Sequence, residues 1–97
     1  MDRLFEYRGN TFVWDEVKAA QNVEAHGVSF EEAATVFDDP LFALRDATQN
    51  EESRQAAIGF SATARLLTIV HLEVDGEFIR IISAWRATAA EEAIYAQ

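Results

Sequence analysis

The sequence predicts one α+β domain. A small antiparallel sheet, built from a C-terminal three-strand meander and a short N-terminal strand, packs against two N-terminal helices and is followed by a short C-terminal helix. Three observations predict it. Capped helical segments occupy residues 15–39, β-rich runs fill residues 54–85, and 97 residues with 49% apolar content suffice for a single core, spanning 1-97 without linker or repeat.

Phe12-Val13-Trp14 is a short apolar strand. Asp15 follows as an N-cap, and helix-compatible residues continue to His26-Gly27, where Gly27 supplies a left-handed stop. Ser29 caps a second helix, with Glu32 three residues on as its capping-box partner. Phe30, Ala33, Ala34 and Phe37 recur at helical spacing until Asp38-Asp39-Pro40 ends the run. Leu41 to Leu44 reads as a short strand and Arg45 to Ser53 as an exposed loop. The meander takes Arg54 to Phe60, Arg65 to Val74 and Phe78 to Trp85. Thr88 then caps a helix over Ala89 to Tyr95, with Glu91 and Glu92 near its positive end.

Asp75-Gly76 is a two-residue hairpin signal, and a type I′ turn there sets the register by counting. Val74 falls opposite Glu77, Leu72 opposite Ile79, His71 opposite Arg80, and Arg65 opposite Arg86. Leu66, Thr68, Val70 and Leu72 with Ile79, Ile81, Ser83 and Trp85 then form the core face. Arg65, His71, Arg80 and Arg86 share the other, which either receives an anion or is neutralised by acids such as Glu73 and Glu52. Lys18 and Asn22 lie one turn apart on the first helix and read as a solvated face.

The composition excludes several chemistries. Absence of cysteine removes disulfides, thiolate metal sites and sulfur nucleophiles, and it fits a cytoplasmic protein. No run reaches the ~20 apolar residues of a membrane span, and no signal peptide opens the chain. Four scattered glycines make no phosphate loop, and two distant histidines have no zinc spacing, so neither cofactor nor metal is expected. The net charge of −9 opposes nonspecific nucleic-acid binding, although clustered arginines can build a local positive site. Metal-free RNA cleavage remains, with arginines at the phosphate and His71 or a carboxylate moving protons.

Trp14-Asp15, Lys18, Asn22, His26-Gly27-Val28-Ser29-Phe30-Glu31-Glu32-Ala33 and Phe37-Asp38-Asp39-Pro40 are similar to the N-terminal signature of BrnT-type toxins. The resemblance continues through Glu52, Arg54, Ile58-Gly59, Arg65-Leu66-Leu67, His71, Arg80-Ile81-Ile82-Ser83-Ala84, Ala87-Thr88, Glu91 and Tyr95. It implies a RelE-like fold and a ribonuclease toxin neutralised by a BrnA-type antitoxin, whose ribbon-helix-helix part, not the toxin, meets DNA. Spacing and resemblance together point to Arg80 and Arg86 for the phosphate, His71 or Glu52 for proton transfer, and Lys18 in an assisting role. Departures occur where Trp85 replaces a usual arginine, Gln49 a frequent histidine, Ser53 a common acid, and Ala89, Ala90 and Ala93 basic residues.

Three hypotheses follow: an RNA endonuclease, a catalytically attenuated module that binds the antitoxin, and a structural homo-oligomer joined through Phe5, Phe42, Phe60 and Trp85. A homodimer and a heterotetramer with antitoxin both remain open.

Overall fold

The computed structural model describes residues 1–97 and contains a six-stranded sheet and three helices. Strand β1 (Asp2–Tyr7) turns through Arg8 and Gly9, both at positive φ, into β2 (Asn10–Asp15). Helices α1 (Glu16–His26) and α2 (Phe30–Thr35) follow, with a 3-10 turn over Val36–Asp38. Then come β3 (Ala43–Asp46), β4 (Gln55–Phe60), β5 (Leu66–Val74), β6 (Phe78–Arg86) and α3 (Ala89–Tyr95).

The strand order is β1-β2-β6-β5-β4-β3. The expected antiparallel sheet is therefore mixed, because β2 runs parallel to β6 from Thr11↔Phe78 to Val13↔Arg80. Two helices and three strands separate this pair in sequence, so hairpin counting could not reach it. Strand β1 lies wholly before the strand assigned from sequence.

The helix boundaries follow the caps. Asp15 accepts from the Lys18 amide at 3.0 Å, and Gly27, at φ 68°, closes α1 by donating to the Val23 carbonyl. Ser29 Oγ accepts from the Glu32 amide, but the Glu32 carboxylate turns instead to Ser61, Thr63 and Arg65, leaving the expected box half made. Thr88 and Glu91 form the full reciprocal box at α3.

Phe12 and Trp14 of β2, Ala57 of β4, Leu67 and Ile69 of β5, and Ile81 and Ala84 of β6 pack beneath the helical segment Val28–Val36. Trp14 meets the Phe30 ring edge to face at 5.8 Å. Each large apolar side chain buried here contributes about 1.5–3 kcal/mol.

The β5–β6 hairpin differs from its predicted register in two places. Asp75 and Gly76 both adopt positive φ, and Glu77 donates to the Val74 carbonyl at 3.0 Å, yet Val74 pairs with Phe78. A second shift between Val70 and His71 leaves Ile82 as a bulge: Val70 faces Ser83, His71 faces Ile81 and Leu72 faces Arg80. The faces are consequently inverted on β5 and on β6 beyond Ile82, while Ile79 and Ile81 keep their expected inward side. Leu67, Ile69 and His71 point into the core, while Thr68, Val70 and Leu72 lie on the other face. Leu66–Leu72 is nearly all apolar, so alternation alone could not choose between faces. Arg65 faces no arginine, because Leu67 lies opposite Arg86 and Arg65 pairs with Glu32.

Candidate functional site

The five residues expected to form one catalytic pocket are dispersed by this register. His71 is 3% exposed on the core face, its ring edge to face with Phe37 at 4.8 Å and its Nδ1 3.2 Å from the Ile69 carbonyl. Burial pushes its pKa below the usual histidine value, which keeps the ring neutral near pH 7. Arg80 projects from the opposite face and is held by Asp2 at 2.5 Å. Arg86 ends β6, exposed and without a carboxylate partner. Glu52 accepts from Arg54 Nε at 2.5 Å in the β3–β4 connection, and Lys18 is exposed in the first turn of α1. No pair among these five shares a hydrogen bond, and the convergence of His71 with Arg80 does not occur.

A different grouping is built by Asn22. Strand β2 leaves β6 after Val13, so the outer edge of β6 from Ile81 onward has no strand neighbour. Helix α1 covers it. The buried Asn22 amide donates to the carbonyls of Ala84 and Val28, both at 2.9 Å, and its oxygen accepts from the Ala84 amide at 3.1 Å. One side chain thus replaces a strand partner. Lys18 and His26, four residues before and after Asn22, share its helix face and are brought alongside Ile82.

Two depressions meet at Ile82, which lines both, and together they are called the groove. A cavity of about 310 Å³ is lined by Lys18, Gln21, Asn22, Ala25 and His26, and another of about 390 Å³ by Thr48, Gln49, Arg54, Val70, Ser83 and Trp85. His26 and Trp85 pack at 6.2 Å between ring centroids. The Trp85 indole donates to Glu91, which fixes its plane, and Ser83 donates to Asn22 Oδ1 at 3.2 Å.

The groove thus has an ammonium and an imidazole on one wall, a guanidinium on the other, and an apolar, aromatic floor. Lys18 carries no ion-pair partner, and Arg54 is oriented by Glu52. Cations of this kind suit phosphate oxygens, and an indole face suits a stacked ring. No three His, Asp or Glu side chains stand close enough to ligate a metal, and no helix is long and apolar enough to cross a membrane.

Sequence reasoning reached Lys18 and Glu52 but missed His26, Arg54, Ser83 and Trp85 as site residues. The Lys18, Asn22, His26 spacing of four was the available signal for α1. Nothing local announced the Ile82 bulge that turns Ser83 and Trp85 onto this face.

The aromatic patch expected from Phe5, Phe42, Phe60 and Trp85 is not continuous. Phe5 packs on Trp14, Phe42 on Phe37, Phe60 on Tyr95, and Trp85 on His26.

Residues 14–91 match the family model of the ribonuclease toxin BrnT of type II toxin–antitoxin systems. The fold is similar to the crystal structure of the Brucella abortus ribonuclease toxin BrnT, with a TM-score of 0.61 and 23% identity over 77% of this chain and 92% of that one. No curated protein matches the sequence. All groove residues fall inside the matched span. The chain belongs to the BrnT family of ribonuclease toxins of type II toxin–antitoxin systems, a membership that implies an antitoxin partner.

Proposed function

We propose that the groove across Ile82 cleaves RNA without a metal ion, and that an antitoxin with a ribbon-helix-helix part neutralises it by covering the groove. The observation that carries this reading is that the depression holding Lys18 and His26 and the depression holding Arg54 and Trp85 meet at Ile82.

The ribose 2′-oxygen attacks the neighbouring phosphorus as its proton passes to a base, and the bond from phosphorus to the 5′-oxygen breaks as that oxygen takes a proton. The products are a cyclic phosphate and a 5′-hydroxyl. Lys18 and Arg54 stabilise the charge that gathers on the phosphoryl oxygens, with Glu52 positioning Arg54. The His26 imidazole is the proton-transferring group nearest that path, and Trp85 supplies a stacking surface for a base. Arg86, opposite Leu67 and so on the sheet face away from Trp85, takes no part in the groove. Arg80, on the groove's sheet face but tied to Asp2, engages phosphate once that exposed pair opens. His71 supports the strand from the core rather than reaching RNA.

Incubation of the purified protein with RNA, with and without EDTA, tests the proposal. Cleavage that leaves cyclic phosphate ends and is unchanged by EDTA is expected, whereas loss of cleavage on chelation refutes the metal-free mechanism.

One observation favours a second reading, that of a binding module with attenuated catalysis. Arg54, Arg65 and Arg80 each already hold a carboxylate, in a chain of net charge −9. Absence of cleavage of any RNA, with antitoxin still bound at nanomolar affinity, selects it. DNA is then met only through the antitoxin.

A further inference from the structure

The core face ends in a second cleft that the groove does not use. Gln55 pairs with His71 across β4 and β5, Glu73 follows two residues on, and Ile79 lies opposite Glu73, so all four share one face. Phe37 and Phe42, edge to face at 5.5 Å, close the top of this row and leave a cavity of about 250 Å³.

Its polar lining is acceptor-rich: a carboxylate and an imidazole nitrogen stand beside the Asn10 and Gln55 amides, which can both donate and accept. A carbonyl can only accept, so the contact with Ile69 places the His71 proton on Nδ1. Nε2 of the neutral ring is then an acceptor. No group of the chain donates to it, although the residue is 97% buried and lines the cleft. The Glu73 carboxylate adds two acceptor oxygens at the rim, and the Gln55 amide another. Asp46, beside Gln55 in the β3 register, extends the negative charge. His71 Nε2 opens onto the cleft, where a ligand offering N–H groups can reach it together with Glu73.

We propose that this cleft receives an arginine side chain of a protein partner, its guanidinium donating to His71 Nε2 and Glu73 beside the Phe37 and Phe42 rings. A planar cation with several donors matches acceptors beside aromatic faces, as a compact ammonium does not. The exposed Leu44 at the rim, on the edge strand β3, gives the partner's neighbouring residues an apolar contact. RNA is disfavoured, since its phosphates would lie beside Glu73 and Asp46. The cleft is separate from the groove, and its occupancy does not depend on RNA cleavage.

The test uses the full-length protein, labelled with nitrogen-15 and carbon-13 and titrated by NMR with N-acetyl-arginine amide. Saturable shifts at His71 Nε2 and the Phe37 and Phe42 rings are expected, with a millimolar Kd for so small a probe. Glu73→Gln, at an exposed position, weakens binding about fivefold and leaves the His71 backbone signals in place. N-acetyl-glutamine amide and adenosine leave the cleft resonances unmoved. A linear response without saturation to ~50 mM, an equal response to adenosine, or full affinity in Glu73→Gln overturns the proposal.

Discussion

Asn22 and Ala84 are joined by two hydrogen bonds of 2.9 and 3.1 Å, so that a helix side chain completes the ladder of a strand whose own neighbour has diverged. The pairing ties the wall of the groove to its floor, and it makes folding and site geometry depend on one amide.

Asn22→Asp removes both donors and points a carboxylate at the Val28 and Ala84 carbonyls. A loss of about 2–4 kcal/mol is expected in urea unfolding. A variant as stable as the parent would mean that water satisfies the β6 edge.

Lys18→Ala and Arg54→Ala should each lower RNA cleavage about 10²-fold. Lys18 is exposed, so its replacement should leave stability within about 0.5 kcal/mol, separating a chemical from a folding effect. Quantified RNA fragments at fixed time, with the unfolding curve of each variant, check both halves.

Acid should unfold the protein in two stages. His71 has a folded pKa below its unfolded value of 6.5, because burial disfavours the cation. Below about pH 6.5 the unfolded chain therefore binds the proton first, and stability falls. Glu32 is held at about 2, below its ordinary 4.5, chiefly by the Arg65 guanidinium and further by Thr63 and Ser61. Its contribution is complete above pH 4.5 and disappears as pH falls towards 2. Arg65→Gln should flatten the lower stage only, and an NMR titration of the His71 ring should give a midpoint below 6.5.

Gly59→Ala places a Cβ 2.9 Å from Phe42 Cβ, 3.0 Å from Val36 Cγ1 and 3.1 Å from Asp39 Oδ2. The methyl presses on the carboxylate that accepts from the Phe60 amide and the Tyr95 hydroxyl. Destabilisation of about 1–3 kcal/mol is expected, read as a lower melting temperature.

The capped ends of all three helices were legible because a cap is a local event: Asp15, Gly27, Ser29 and Thr88 act within four residues of themselves. The β2–β6 pairing was not, since it joins residues more than sixty positions apart. The dipeptide Asp75-Gly76 announced its turn, but Val74 pairs with Phe78 rather than Glu77, which displaces every counted pair by one, and the unmarked bulge at Ile82 displaces those beyond it again. Lys18 and Glu52 entered the site from resemblance, whereas His26 and Arg54 needed the tertiary path of α1 and of the β3–β4 connection.

The extra residue at Ile82 reverses the parity of β6, so that Ile79 and Ile81 turn inward while Ser83 and Trp85 turn outward. Removing one residue there would not merely shorten the strand. It would bury a hydroxyl and an indole on one side and expose Ala84 on the other, exchanging interior for exterior along half its length, so viable length changes in this hairpin should come in twos.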